Sequence, residues 1–108
     1  MAGRAHLPAD ERRAVSRIHF LLTQPGLLHA SLQVNRRRCG KKRCRCVTGK
    51  PHTSLYLSVL TKGRQHHFGV PPSWEARLRE WIERDREVRK RLLEISRMYR
   101  DRFCNRVE

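Results

Sequence analysis

Four residues between positions 39 and 52 have the type and spacing to hold a metal ion. They are Cys39, Cys44, Cys46 and His52, in the order Cys-x4-Cys-x-Cys-x5-His. Three thiolates and one imidazole are a ligand set of the kind zinc takes in a tetrahedral structural site. Four protein ligands leave no open position for water, so the expected Zn2+ staples the loop and carries out no reaction. The alternative is a set of metal-free thiols, reactive or oxidised. Copper or an iron–sulfur cluster fits less well, because the fourth ligand is a histidine and no fourth cysteine is near. The fourth position is the open one. His66 and His67 compete with His52 for it, and as consecutive residues of an extended stretch they point to opposite faces. Cys104, the remaining cysteine, reads as a packing or free thiol.

The same loop is strongly basic. Arg36, Arg37, Arg38, Lys41, Lys42, Arg43, Arg45 and Lys50 are eight of the 25 Lys/Arg in the chain, and no acid lies among them. Cations packed this densely favour the thiolate form of the neighbouring cysteines. They also form a surface for phosphate oxygens, with arginine able to reach base edges or a narrow minor groove. Aromatic residues are only 6% of the chain and none lies inside the loop. That weakens a single-strand stacking mode, for which Tyr56 and Phe68 are the available side chains. The expected ligand is therefore duplex DNA or structured RNA.

The string CGKKRCRC…GKPH resembles the CGKxxCxC…GxPH signature of a family of small bacterial and archaeal proteins described only as a domain of unknown function. Cys39, Gly40, Lys41, Cys44, Cys46, Gly49, Pro51 and His52 carry the resemblance, which extends over roughly residues 30–95. The family signature continues with Gly-Pro-Tyr, whereas this chain has Thr53-Ser54-Leu55 before Tyr56. The resemblance implies a metal-binding or nucleic-acid-binding module and no known reaction.

Composition agrees with a binding protein. At 108 residues the chain is expected to form a single domain, with a core small enough to need a metal or a partner. A formal charge of +15 points to a polyanion, with an acidic protein or an anionic membrane surface as alternatives. Residues 1–70 hold 14 Lys/Arg and 2 acids, whereas residues 71–108 hold 11 and 8. The first part is the expected binding surface, and the second reads as a helix laced with mixed charge. No apolar run approaches the ~20 residues needed to span a bilayer. The N-terminus lacks the apolar core of a signal peptide. The expected location is the cytoplasm or nucleoid, where cysteines stay reduced and a tight cluster reads as a metal site.

The elements that would position the loop are legible from periodicity. Residues 1–26 read as an N-terminal helix, starting at Pro8-Ala9-Asp10 and ending at Gln24-Pro25-Gly26, with Ala14, Ile18, Leu21 and Leu22 on one face. Residues 27–71 read as a sheet: strands Leu27–Val34, Ser54–Leu60 and Arg64–Val70, with Lys62-Gly63 as a turn. Residues 73–103 read as one long helix with Ser73 as N-cap, a possible coiled-coil or docking segment. Its seam runs Trp74, Leu78, Trp81, a break at Asp85, then Val88, Leu92, Ile95 and Tyr99. The expected fold class is α+β: N-terminal helix, three-stranded antiparallel meander with a zinc-clamped loop, long C-terminal helix. The N-terminal half of the long helix is expected on the sheet and first helix. Val88, Leu92, Ile95 and Tyr99 are left to contact a larger protein or a second copy.

The functional expectation is a zinc-stapled basic nucleic-acid-binding protein acting as an accessory subunit. A zinc-stabilised protein-interaction adaptor or dimeric regulator is the alternative. No nucleophile–base pair, paired carboxylates or phosphate-binding glycine loop suggests an enzyme.

Overall fold

The computed structural model describes residues 7–37 and 52–106. In chain order the elements are α1 (Ala9–Thr23), β1 (Ser31–Arg37), β2 (His52–Thr61), β3 (Arg64–Gly69), a 3-10 turn (Pro72–Trp74) and α2 (Glu75–Cys104). The arrangement is α+β, with one three-stranded antiparallel sheet in the order β1-β2-β3. The chain divides into two compact units, Met1–Leu28 with Glu83–Glu108, and His29–Ile82.

In the first unit, α1 begins after Pro8, whose ring pre-sets the backbone for entry into a helix. Asp10 and Glu11 bring negative charge to the first turn, where the helix dipole favours it. Gln24 is extended and Pro25 follows, so the helix stops there. Gly26 has φ +91°, a left-handed conformation suited to glycine. Arg84 fastens this turn, its guanidinium donating to the Pro25 carbonyl at 2.6 Å and to the Gly26 carbonyl.

The bonds between α1 and α2 show an antiparallel pair. Glu11 meets Tyr99 and Arg102, Arg17 meets Glu87, and the turn after α1 meets Arg84. Ala14, Leu21 and Val88 are buried. The sequence places α1 with the N-terminal half of the long helix; the bonds run from Arg84 and Glu87 on to Tyr99 and Arg102, so α1 lies along the C-terminal half as well. Ion-pair geometry made the difference, because Glu11 and Arg17 find their partners beyond residue 84, information that apolar periodicity does not carry.

In the second unit, β2 is the central strand. Leu32 pairs with Leu57 and Val34 with Leu55, while Leu57 also pairs with Phe68. The β2–β3 connection is a two-residue turn with Lys62 at φ 51° and Gly63 at φ 78°. Two successive positive φ values are those of a type I′ turn, whose twist suits a hairpin. β1 begins four residues later than periodicity suggests and runs through Arg36 and Arg37, because the ladder to β2 continues to the pair Arg37–His52. Leu78 and Ile82 are buried, and Trp74 meets Trp81 edge-to-face at 6.0 Å. Ser73 lies inside the 3-10 turn and does not cap α2; Glu75 still supplies the acid of the first helical turn. With 30 residues and neither Gly nor Pro, α2 is about 45 Å long.

Candidate nucleic-acid interface at the base of the basic loop

The loop leaves the sheet after Arg37 and returns at His52, and these two residues are cross-strand partners. Its two ends are therefore about 5 Å apart at the Cα atoms. Cys39, Cys44 and Cys46, together with Arg38, Lys41, Lys42, Arg43, Arg45 and Lys50, lie outside the described residues. Arg36 is exposed on β1 opposite Thr53.

Strand register separates the competing histidines. His67 is opposite Ser58 and His66 opposite Val59. Ser58 is six residues beyond His52, so either histidine sits roughly 20 Å along the strand from the base of the loop. Both are exposed. Among the described residues, no three His, Cys, Asp or Glu gather into a metal-sized cluster. Cys104 is an exposed free thiol.

The two aromatic candidates for stacking are also separated. Tyr56 pairs with Gly69, whereas Phe68 pairs with Leu57, so the rings occupy opposite faces of the sheet. Tyr56 instead has His67 as a diagonal neighbour, and with Gln33 and Asn35 they border one depression. Alternation with Leu32 and Val34 sets Gln33 and Asn35 on the polar face of β1, and the register of β1 brings that face beside Tyr56. A second depression joins Val34, Leu55 and Val70 of the sheet to Glu75 and Arg79 of α2.

The expected protein-contact residues divide. Val88 is 8% exposed and therefore buried in its own chain. Leu92 and Tyr99 are 51% and 48% exposed, with Leu93 and Phe103 exposed beside them. Ile95 is half-buried. The Tyr99 ring is covered on one side by the Arg102 guanidinium, 4.7 Å from its centroid.

The acids of the helix pair serve structure. Glu11, 4% exposed, accepts from the Tyr99 hydroxyl at 2.8 Å and from Arg102 at 3.4 Å. Asp85, 3% exposed, accepts from Arg89 Nε at 3.1 Å on each oxygen. It fills the polar slot in the heptad seam. Glu87 accepts from Arg17 Nε at 2.7 Å, and this bond holds its carboxyl below the ordinary carboxylate value, partial burial opposing the shift.

No family model matches the chain, and neither does any curated protein or solved structure. No helix among the described residues is long and apolar enough to cross a membrane.

Proposed function

We propose that this protein is a cytoplasmic, zinc-stapled nucleic-acid-binding accessory subunit. The observation that carries the reading is the distribution of charge between the two units. His29–Ile82 holds 12 Lys/Arg against 2 acids, a surplus of +10, and eight of those cations lie between residues 36 and 50. The other unit holds 13 against 8. A surplus concentrated in one short segment of chain is an electrostatic footprint for phosphates.

Zn2+ is the ion that Cys39, Cys44, Cys46 and His52 would hold. The pairing of Arg37 with His52 supports His52 as the fourth ligand, since it anchors that residue at the loop base where Cys39 departs two residues from β1. A connection of this length between paired strands is long for a hairpin and has reason to carry its own cross-link. When bound, the ion supplies cross-linking and no reaction, which is why we read the protein as a binder and not an enzyme.

Arg36, Arg37, Arg38, Lys41, Lys42, Arg43, Arg45 and Lys50 would contact phosphates of duplex DNA or structured RNA. With six to eight such contacts, affinity should fall with salt on a log–log slope of about −6 on duplex DNA. A flat salt response, or affinity no greater than for a neutral polymer, would exclude the reading. Cys44→Ser should abolish stoichiometric zinc, measured by elemental analysis of the purified protein; retained zinc would remove Cys44 from the ligand set.

The exposed stretch of α2 around Leu92, Leu93, Tyr99 and Phe103 supports a protein contact, with a larger host or a second copy. The alternative reading, an adaptor or dimeric regulator that does not touch nucleic acid, rests on this same surface.

A further inference from the structure

The sheet face bearing Tyr56 has a composition that phosphate binding does not use. Register puts Ser31, Gln33 and Asn35 of β1 beside Ser58, Tyr56 and Ser54 of β2, and Gln65 and His67 beside Leu60 and Ser58. Between Asn35 and Leu60 this face bears amides, hydroxyls, one phenol, one imidazole and, at its far end, the exposed Leu60; the nearest charge on its strands is Arg37, where the basic segment begins. It does so within the unit that carries the +10 surplus. Gln33, Asn35 and His67 are exposed, Tyr56 is half-buried, and the four border a depression of about 360 Å³. Only the small central Ser58 is buried on this face.

The division of labour is the one nucleic-acid recognition requires. Charges hold phosphates and are indifferent to sequence; amides and aromatic rings meet bases. Tyr and His rings stack on unpaired bases, while Gln and Asn amides can donate to and accept from a base edge together. Gln33 and Asn35 are two residues apart on one strand, hence about 7 Å apart, which leaves room for successive splayed bases. Asn35 lies two residues before Arg37, where the basic loop begins. The base-reading face therefore adjoins the point at which the chain enters its most basic segment.

We propose that Gln33, Asn35, Tyr56 and His67 form a site for unpaired nucleobases, so that the preferred ligand is a nucleic acid with a single-stranded loop or bulge. Tyr56 and His67 stack on bases; Gln33 and Asn35 bond to their edges. This rests on the reading of the loop as the phosphate-binding element and narrows its ligand class.

The test uses the full-length zinc-loaded protein and four fluorescein-labelled probes: an RNA hairpin with an unpaired loop, its fully paired counterpart, and the DNA versions of both. Titrations are made at two salt concentrations. The expected result is that a hairpin binds roughly tenfold or more tightly than the duplex of the same sugar, the scale of one or two stacked bases. RNA and DNA arms show which sugar is preferred. His67→Ala and Gln33→Ala, both at exposed positions, should erase most of that preference and leave duplex affinity and salt slope unchanged. Tyr56→Ala should do the same, with circular dichroism reporting its fold. Arg43→Ala with Arg45→Ala should weaken hairpin and duplex alike. Equal binding of hairpin and duplex by the unmodified protein, or a preference that survives both exposed-site variants, would overturn the inference while leaving the loop reading in place. Binding to no probe at either salt would overturn both.

Discussion

Tyr99 reaches across the helix pair to a carboxylate that is almost entirely out of water, and that contact sets what its loss should cost. The hydroxyl donates to Glu11 at 2.8 Å, and Glu11 is 4% exposed. Tyr99→Phe leaves one lone pair of a buried carboxylate without its donor and should destabilise by about 1–2 kcal/mol in urea titration. An unchanged midpoint would mean water replaces the hydroxyl. Glu87 answers a different condition. Its folded carboxyl titrates below the ordinary 4.5 because Arg17 donates to it. The folded state thus holds fewer protons than the unfolded chain as pH falls past that value. The contribution is complete above about pH 4.5 and disappears as pH drops through the lower folded value. Glu87→Gln should flatten that part of the stability–pH curve, measured by urea unfolding between neutral and acidic pH. Neither contact is readable from sequence, since 88 residues separate Tyr99 from Glu11 and 70 separate Glu87 from Arg17.

At the scale of elements, the β2–β3 hairpin shows where local chemistry is decisive. Lys62-Gly63 marks the turn in the sequence, and both residues adopt positive φ. A Cβ at Gly63 would meet nothing within 4 Å. Gly63→Ala should therefore cost only the backbone term, about 1 kcal/mol, and thermal unfolding reports it. A much larger loss would mean that residue 63 is crowded after all. β1 shows the opposite. Arg36 and Arg37 have no strand pattern, and the strand includes them because β2 offers partners out to His52. The same register separates Tyr56 from Phe68 and keeps His67 far from His52, so the membership of the candidate base site was settled by pairing and not by composition.

For the molecule as a whole, the two units differ in charge and in what they leave exposed. The sheet unit concentrates its cations in one segment, for a surplus of +10, whereas the helical unit carries +5 with its acids interspersed and exposes Leu92, Leu93 and Phe103 along α2. Exposed apolar side chains on a helix are a contact surface when they adjoin one another. Leu92→Glu combined with Phe103→Glu should abolish self-association, read by light scattering after size exclusion, and leave the salt slope of nucleic-acid binding unchanged. A wild-type chain that stays monomeric at high concentration would remove the second-copy form of this contact and leave a different protein as its occupant.

Element types and their order were legible in the sequence, because each is written in neighbouring residues: helical repeats at three and four, alternation in SLYLSVL, punctuation at Gln24-Pro25-Gly26 and Lys62-Gly63. Only the tertiary structure decided how far along α2 the first helix reaches, where β1 starts, and which polar side chains of the neighbouring strands share a face with Tyr56. Those facts depend on ion pairs and strand register between residues distant in the chain. A one-residue slip would send Gln33 and Asn35 to the opposite face without altering a single local preference.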